Sequence, residues 1–218
     1  LPGKPAIAEE LMIQRDIELA KYTGSKIHIT ALSTAKSVEL VKQAKNEGVA
    51  VSCSVTPYHL FFSDDDLEHY DTNLKVNPPL RTRTDVEALQ KAVLDGTIDC
   101  IATHHLPQDS DHKVVEFEYA HYGMLGLETS FGVIRSCMPG LTMERWVELA
   151  SLNPRKIFDL LPASVNQNQV ARLSLFLPDE KWMVNDLKSK SGNSPFIGME
   201  LTGKPVGIIN KDKLFLNE

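Results

Sequence analysis

Apolar residues recur along this chain in two rhythms, and the places where one gives way to the other divide it into elements. From Pro5 onward Ile7, Leu11, Ile17 and Ala20 fall at helical spacing until Thr23-Gly24 stops the run. Pro5 stands where a first helical position would be, so the pattern predicts a helix of about 17 residues. Lys26 to Leu32 reads as a short strand, Ser33 or Thr34 caps a second helix with Val38, Leu40, Val41 and Ala44 inward, and Gly48 ends it. Val49 to Val55 alternates as a strand again, and a long loop, 56–79, follows. Asp64-Asp65-Asp66 within it reads as a solvated turn or helix start. Thr84 caps a third helix (Val86, Leu89, Ala92, Val93) that Gly96 terminates. The stretch 97–103 then alternates Ile98, Cys100 and Ile101 with small polar residues, which predicts a short buried strand closing on His104 and His105. Helix and strand alternating at this spacing is the signature of parallel βα units.

Beyond Gln108 lies the glycine-punctuated stretch YGMLGLETSFGV. A helix capped by Thr142 follows (Met143, Trp146, Val147, Ala150), and another starts with Asn153 as cap and Pro154 in its first turn. From Val170 the texture changes to short alternating segments, VARLSLFL, KWMV and PVGIINKDKLFL, separated by Asn, Gly, Pro and Lys. They predict a β appendage and a chain organised as 1–162 and 163–218.

Composition narrows the function classes. The 218 residues are 42% apolar and 24% charged, an ordinary soluble globular balance. A net charge of −6 with scattered Lys and Arg argues against a nucleic-acid surface, which needs clustered cations to neutralise phosphate. No apolar run approaches the roughly 18 residues of a membrane span. Cys53, Cys100 and Cys137 are odd in number and far apart, which suits buried thiols of a cytoplasmic protein better than a disulfide framework. The chain starts at Leu1 without an initiator Met and enters a helix almost at once, as a piece of something longer would.

Three strand ends, at 29–33, 55–59 and 102–108, would face one mouth of a parallel barrel, where such folds place polar, titratable side chains. His104 and His105 are the first candidates, with ordinary loop histidines as the plain alternative. Taken in order, the segments LPGKPAIAEELMIQRDIELAKYTGSKIHI, STAKSVEL, VTPYHL, KVNPPLR, TIDCIATHH, GLET, NPRKIF and SKSGNSPFIGMEL resemble dihydroorotase of the amidohydrolase superfamily. The resemblance covers nearly the whole chain. It implies an α/β fold, the later βα units of a (β/α)8 TIM-type amidohydrolase barrel followed by strands of a small β sandwich, hence the C-terminal half of such a protein.

It also implies a zinc-dependent hydrolase that opens and closes the ring of dihydroorotate in pyrimidine synthesis. In that chemistry a divalent ion lowers the pKa of its bound water to about 7 and polarises the carbonyl. The family's HxH ligands belong to the other half, and no HxH occurs here. The family positions expected in this half are altered. Ala31 stands where a His precedes the Ser-Thr pair, Tyr58 replaces the second His of TPHH, and His104 replaces the Asp that binds metal and moves the proton. Gln108 replaces a His that contacts the substrate carboxylate, whereas Asn77 and His59 match the family as substrate-side positions. Asn77-Pro78-Pro79 also reads simply as a rigid loop entry. Ala31, Tyr58 and His104 are expected to converge on one cavity.

Three functions stay open on this resemblance. The chain is a working dihydroorotase or related cyclic amidase with an unusual metal site in which His59, His104, His105 or His112 replaces lost ligands; or a non-catalytic homologue, with zinc absent or substoichiometric; or an amidohydrolase of changed substrate. The non-catalytic reading makes it a binding or assembly partner, as a homo-oligomer or with aspartate transcarbamoylase, with which family members associate. A small pyrimidine precursor is the implied ligand, with neither nucleic acid nor membrane as partner.

Overall fold

The computed structural model describes residues 3–162 and 164–217. The first expected helix, α1, spans Ala6–Thr23 and stops at Gly24, whose φ of 67° suits a residue without Cβ. Pro5 is its cap residue, not its first helical position. Strand β1 is only Ile27–Ile29, α2 spans Ala35–Asn46 with Thr34 accepting a hydrogen bond from Ser37 N, and β2 spans Val51–Val55. The expected long loop contains a short helix, α3 (Pro57–Phe61), and two 3-10 turns, the first opening on Asp64. The next helix, α4 (Arg83–Leu94), is capped by Thr82, not Thr84, because Thr82 and Asp85 exchange side-chain-to-backbone bonds in a capping box. Strand β3 shrinks to Cys100–Ile101.

β1, β2 and β3 pair in parallel in that order, with Ile29 opposite Cys53 and Val55 opposite Ile101. Side chains of paired positions share a face. Ile27, Ile29, Val51, Cys53, Val55 and Ile101 therefore face the helices, where they join Ile17, Val41, Leu89 and Val93 in the larger core. Burying each such Leu, Ile or Val is worth about 1.5–3 kcal/mol. The opposite face carries His28, Thr30, Ser52 and Ser54, with His28 Nδ1 bonded to Ser52 Oγ at 2.8 Å. Ile27 and Ile29 are only half-buried because β1 is an edge strand whose outer side meets no other strand among the described residues.

The glycine-punctuated stretch leads into a helix that the pattern did not predict, α5 (Ser130–Cys137). The next two expected helices, α6 (Met143–Val147) and α7 (Asn153–Ile157), are joined through a π-helical turn at Glu148–Leu152. Asn153 consequently does not cap a helix start; its side chain donates to the Asp99 carbonyl instead. In the last quarter β4 (Arg172–Met183) runs through both VARLSLFL and KWMV with shifts of register, and PVGIINKDKLFL divides into the ends of β5 (Glu200–Asn210) and β6 (Lys213–Leu216). These three strands form a separate antiparallel sheet. A second apolar cluster, including Phe62, Leu74, Met124, Phe196 and Leu201, links its base to α3 and α5.

Candidate functional site

The parallel register brings the chain out of β1, β2 and β3 at one level, so Thr30-Ala31, Thr56 to His59 and Ala102 to His105 emerge at the same end of the sheet. Thr30 Oγ1 and His104 Nε2 lie 3.0 Å apart, Ser54 Oγ is 3.3 Å from Thr30 Oγ1, and Ala31 N donates to Ser54 Oγ at 3.2 Å. Ala31 and His104 both have positive φ, 56° and 43°. That conformation costs a residue with a Cβ roughly 1–2 kcal/mol and persists where the surroundings impose it, often at functional sites. Burial lowers the pKa of His104.

His59 is fixed by its helix cap. Its Nε2 lies 3.1 Å from the Pro78 carbonyl, which can only accept, so Nε2 carries the proton and Nδ1 accepts from Thr56 Oγ1 at 2.8 Å. Burial, opposed by the Pro78 and Pro79 carbonyls, pushes its pKa down to about 4. The unfolded chain, with a His value of 6.5, binds the extra proton between pH 6.5 and about 4. His59 thus contributes stability that is complete above pH 6.5 and is lost as pH falls through that window. Denaturant midpoints should fall between pH 7 and pH 4.5, and His59→Gln should flatten the fall; an unchanged slope in that variant removes His59 as its cause.

Tyr58 leaves the same strand end, but its ring packs into the second apolar cluster, 3% exposed and 4.8 Å from the His59 ring. Burial pushes its phenol up to about 12. Ala31 and His104 thus meet at the mouth through Thr30 and Ser54, while Tyr58 presents a ring packed in the second apolar cluster. Asn77 is exposed and its Oδ1 accepts from Lys4 Nζ at 2.9 Å. Gln108 donates through its backbone N to Asn193 Oδ1 at 3.1 Å and through Nε2 to the Tyr122 carbonyl, also at 3.1 Å. Lys4 stands 4.9 Å over the Tyr122 ring, so Asn77 and Gln108 are neighbours through these two residues, not through the Thr30–His104 pair. His112 pairs with Asp109 at 2.6 Å and stacks on His121, both in the loop beyond Gln108.

Three supports of the site escaped sequence reasoning. Thr30 was visible only as a strand position of the same parity as His28. Asn193 lies buried in the SKSGNSPF segment and donates to the carbonyls of Leu106 and Gly123, tying the far end of the chain to the loop of Gln108. Glu9 accepts from Ser33 N and from the hydroxyls of Ser33 and Ser37, while Arg81 Nε donates to Ser33 Oγ at 3.0 Å, which fixes the turn after Ala31. Neither Asn193 nor Glu9 carries a local signal, since each acts across the fold. Gly126 is a further constraint: its N donates to His105 Nδ1 at 3.1 Å, and a Cβ there would stand 2.5 Å from the Thr103 carbonyl oxygen. Gly126→Ala should cost about 1–3 kcal/mol in denaturant unfolding, as an overpacked contact does; a neutral result would mean the Thr103 loop yields freely.

The donor set of this half does not fit a zinc centre. Ala31 offers no lone pair, and a buried phenol with a pKa near 12 binds metal poorly. Both nitrogens of His59 are engaged, as is Nε2 of His104. Among the described residues no three His, Cys, Asp or Glu side chains gather as a metal site.

No protein-family model matches the chain. Its sequence is 45% identical over 208 residues to a dihydroorotase of Caldanaerobacter subterraneus, covering 93% of this chain and 48% of that protein. It is 44% identical over 212 residues to a dihydroorotase of Carboxydothermus hydrogenoformans, with 94% and 49% covered. The chain belongs to the dihydroorotase family. It spans about half the length of the curated dihydroorotases it matches and corresponds to their C-terminal half. Among solved structures it superposes on the L-hydantoinase (dihydropyrimidinase) of Arthrobacter aurescens with a TM-score of 0.88 and 28% identity, over 98% of this chain and 50% of that one. The dihydropyrimidinase of Brevibacillus agri, 20% identical with a TM-score of 0.87 over 98% of this chain and 50% of that one, shares the fold. The dihydroorotase half therefore has the architecture of a TIM-barrel amidohydrolase. In the described residues no helix is long and apolar enough to cross a membrane.

Proposed function

We propose that this chain is the C-terminal half of a non-catalytic dihydroorotase homologue, which keeps the barrel scaffold and a small-molecule pocket without zinc-dependent hydrolysis of the dihydroorotate ring. One observation carries the reading. At the strand ends where the family resemblance puts metal ligands, the chain has the methyl of Ala31, the core-packed ring of Tyr58 and a His104 bonded to Thr30. A metal site that lacks two imidazoles and a carboxylate loses first bonds and charge compensation together. His104 in its lowered-pKa, neutral state cannot supply the negative charge of the Asp it replaces.

Asn77 and Gln108 are the side chains we assign to a remaining pocket for a small pyrimidine precursor, with His59, whose two nitrogens are engaged, holding the Pro78 carbonyl next to Asn77; the protein's role on this reading is that of a binding or assembly partner. We divide the chain into a barrel half, 1–162, and a β appendage, 163–218; residue 163 lies outside the described residues, and the separate hydrogen bonding of the two sheets supports the division. Zinc content and turnover of carbamoyl aspartate by the intact protein test the proposal.

A further inference from the structure

The geometry points to an acidic, aromatic docking surface beside the mouth of the site, shaped for a basic and partly apolar segment of a partner protein. Two segments form it, 68–75 and 109–122. They are fastened to each other: Thr72 Oγ1 donates to the Lys113 carbonyl at 2.6 Å, and Tyr70 packs edge-on against Phe117 with ring centroids 5.7 Å apart. Lys113 Nζ donates to the carbonyls of Thr72, His121 and Gly123 at 2.6, 2.9 and 3.1 Å. The result is an ordered surface, and yet it leaves Val114 83%, Tyr119 71% and Tyr70 54% exposed. Tyr70, Thr72, Val114, Val115 and Glu116 line a shallow depression there together with Lys113, whose ammonium is taken up by the three carbonyls. Clustered exposed apolar and aromatic side chains mark interaction sites, because leaving them in water forgoes their burial.

Charge selects the occupant. The two segments carry Glu68, Asp71, Asp109, Asp111, Glu116 and Glu118, and their only lysines are Lys75 and Lys113. Both lysines turn inward: Lys113 is buried on its three carbonyls, and Lys75 Nζ donates to the carbonyls of Phe117 and Glu118 at 2.8 and 2.6 Å. Asp109 is engaged by His112, and Asp71 accepts from Asn73 N and lies near the Lys113 ammonium; the other four, Glu68, Asp111, Glu116 and Glu118, are exposed and make no salt bridge among the described residues. An arginine- or lysine-bearing segment meets this pattern twice over, through the carboxylates and by stacking on the tyrosines, with its aliphatic stem over the valines. A second copy seated symmetrically on the same patch would set carboxylate against carboxylate, and a nucleic acid would bring phosphate to them. The inference does not use the metal-ligand positions, so it stands or falls separately from the function proposed above.

The test uses the intact protein and a short fluorescein-labelled peptide of alternating arginine and leucine, read by anisotropy, with a glutamate–leucine peptide as control. The basic peptide should bind, weaken as salt is raised, and lose about tenfold or more in affinity both in Val114→Ser/Tyr119→Ser and in Glu116→Lys/Glu118→Lys. These residues are exposed, and unchanged circular dichroism shows that the variants fold. Undiminished binding by the Val114→Ser/Tyr119→Ser variant would reduce the effect to bulk charge and overturn the proposal. So would equal binding of the acidic peptide, no binding at all, or a concentration-dependent dimer that the same substitutions abolish, which would make the occupant a second copy.

Discussion

The intact protein should purify with well under one zinc per chain and should not close carbamoyl aspartate into dihydroorotate. Nothing at Ala31 can hold a metal, and Tyr58 would have to leave an apolar cluster and ionise against a pKa near 12 to do so. Added zinc should not rescue activity, because the deficit lies in the ligands. Restoring Ala31→His, Tyr58→His and His104→Asp together, in a protein that carries an HxH, should raise zinc occupancy, since each imidazole adds a bond and the carboxylate neutralises charge. The backbone is suited to the change: Ala31 and His104 already hold positive φ at the strand ends, and Asp tolerates that conformation better than most residues. Turnover should lag behind metal content if Gln108, held by Asn193 and Tyr122, no longer grips a substrate carboxylate. Stoichiometric zinc with measurable turnover in the unaltered protein would overturn the non-catalytic reading and point to His104 and its neighbours as a substitute ligand set.

Phe196→Ala should be the most damaging of single truncations outside the site, at about 3–5 kcal/mol. Phe196 is 2% exposed and packs against Phe61 and Phe62 at centroid distances of 5.5 and 5.1 Å, joining the segment between β4 and β5 to α3. Removing its ring leaves a void between the two regions and loosens the cluster that holds Tyr58. Phe215→Ala, on a strand where the side chain is 53% exposed, should stay within about 0.5 kcal/mol, as surface substitutions do. Urea unfolding of both variants measures the contrast, and a loss below about 1 kcal/mol at Phe196 would mean that the cluster collapses around the void.

Much of the fold was legible because the information is local. The helical spacing that includes Ile17 and Ala20, the Thr34 and Thr142 caps, Gly24 as a stop and the alternation in Val51 to Val55 each fix an element within a few residues of chain, where propensity and periodicity act; Ile7 and Leu11 of the same spacing are exposed, and Ile13 takes the buried place beside Ile17. The departures came where two local signals competed or none existed. Both Thr82 and Thr84 have an acid three residues on, Asp85 and Glu87, and Thr82 prevailed because Asp85, which bonds back to Thr82 N, is also held from across the fold by Ala35 N. Helix α5 begins inside a glycine-punctuated stretch because Ser130 to Ile134 gain burial against the second sheet, which no local pattern records.

The candidate site divides along the same line. The sequence by itself determined the kinship, the strand ends and the residue types at Ala31, Tyr58, His104 and Gln108, because identity at a position is what a sequence contains. Only the tertiary structure decided that the Tyr58 ring packs in the core, that both nitrogens of His59 and Nε2 of His104 are engaged, and that Asn193 reaches back 85 residues to Gln108. The reason is physical: a side chain's partner is set by which groups the packed chain brings within hydrogen-bond reach, and the burial that moves a pKa belongs to the assembled core, not to any segment of it.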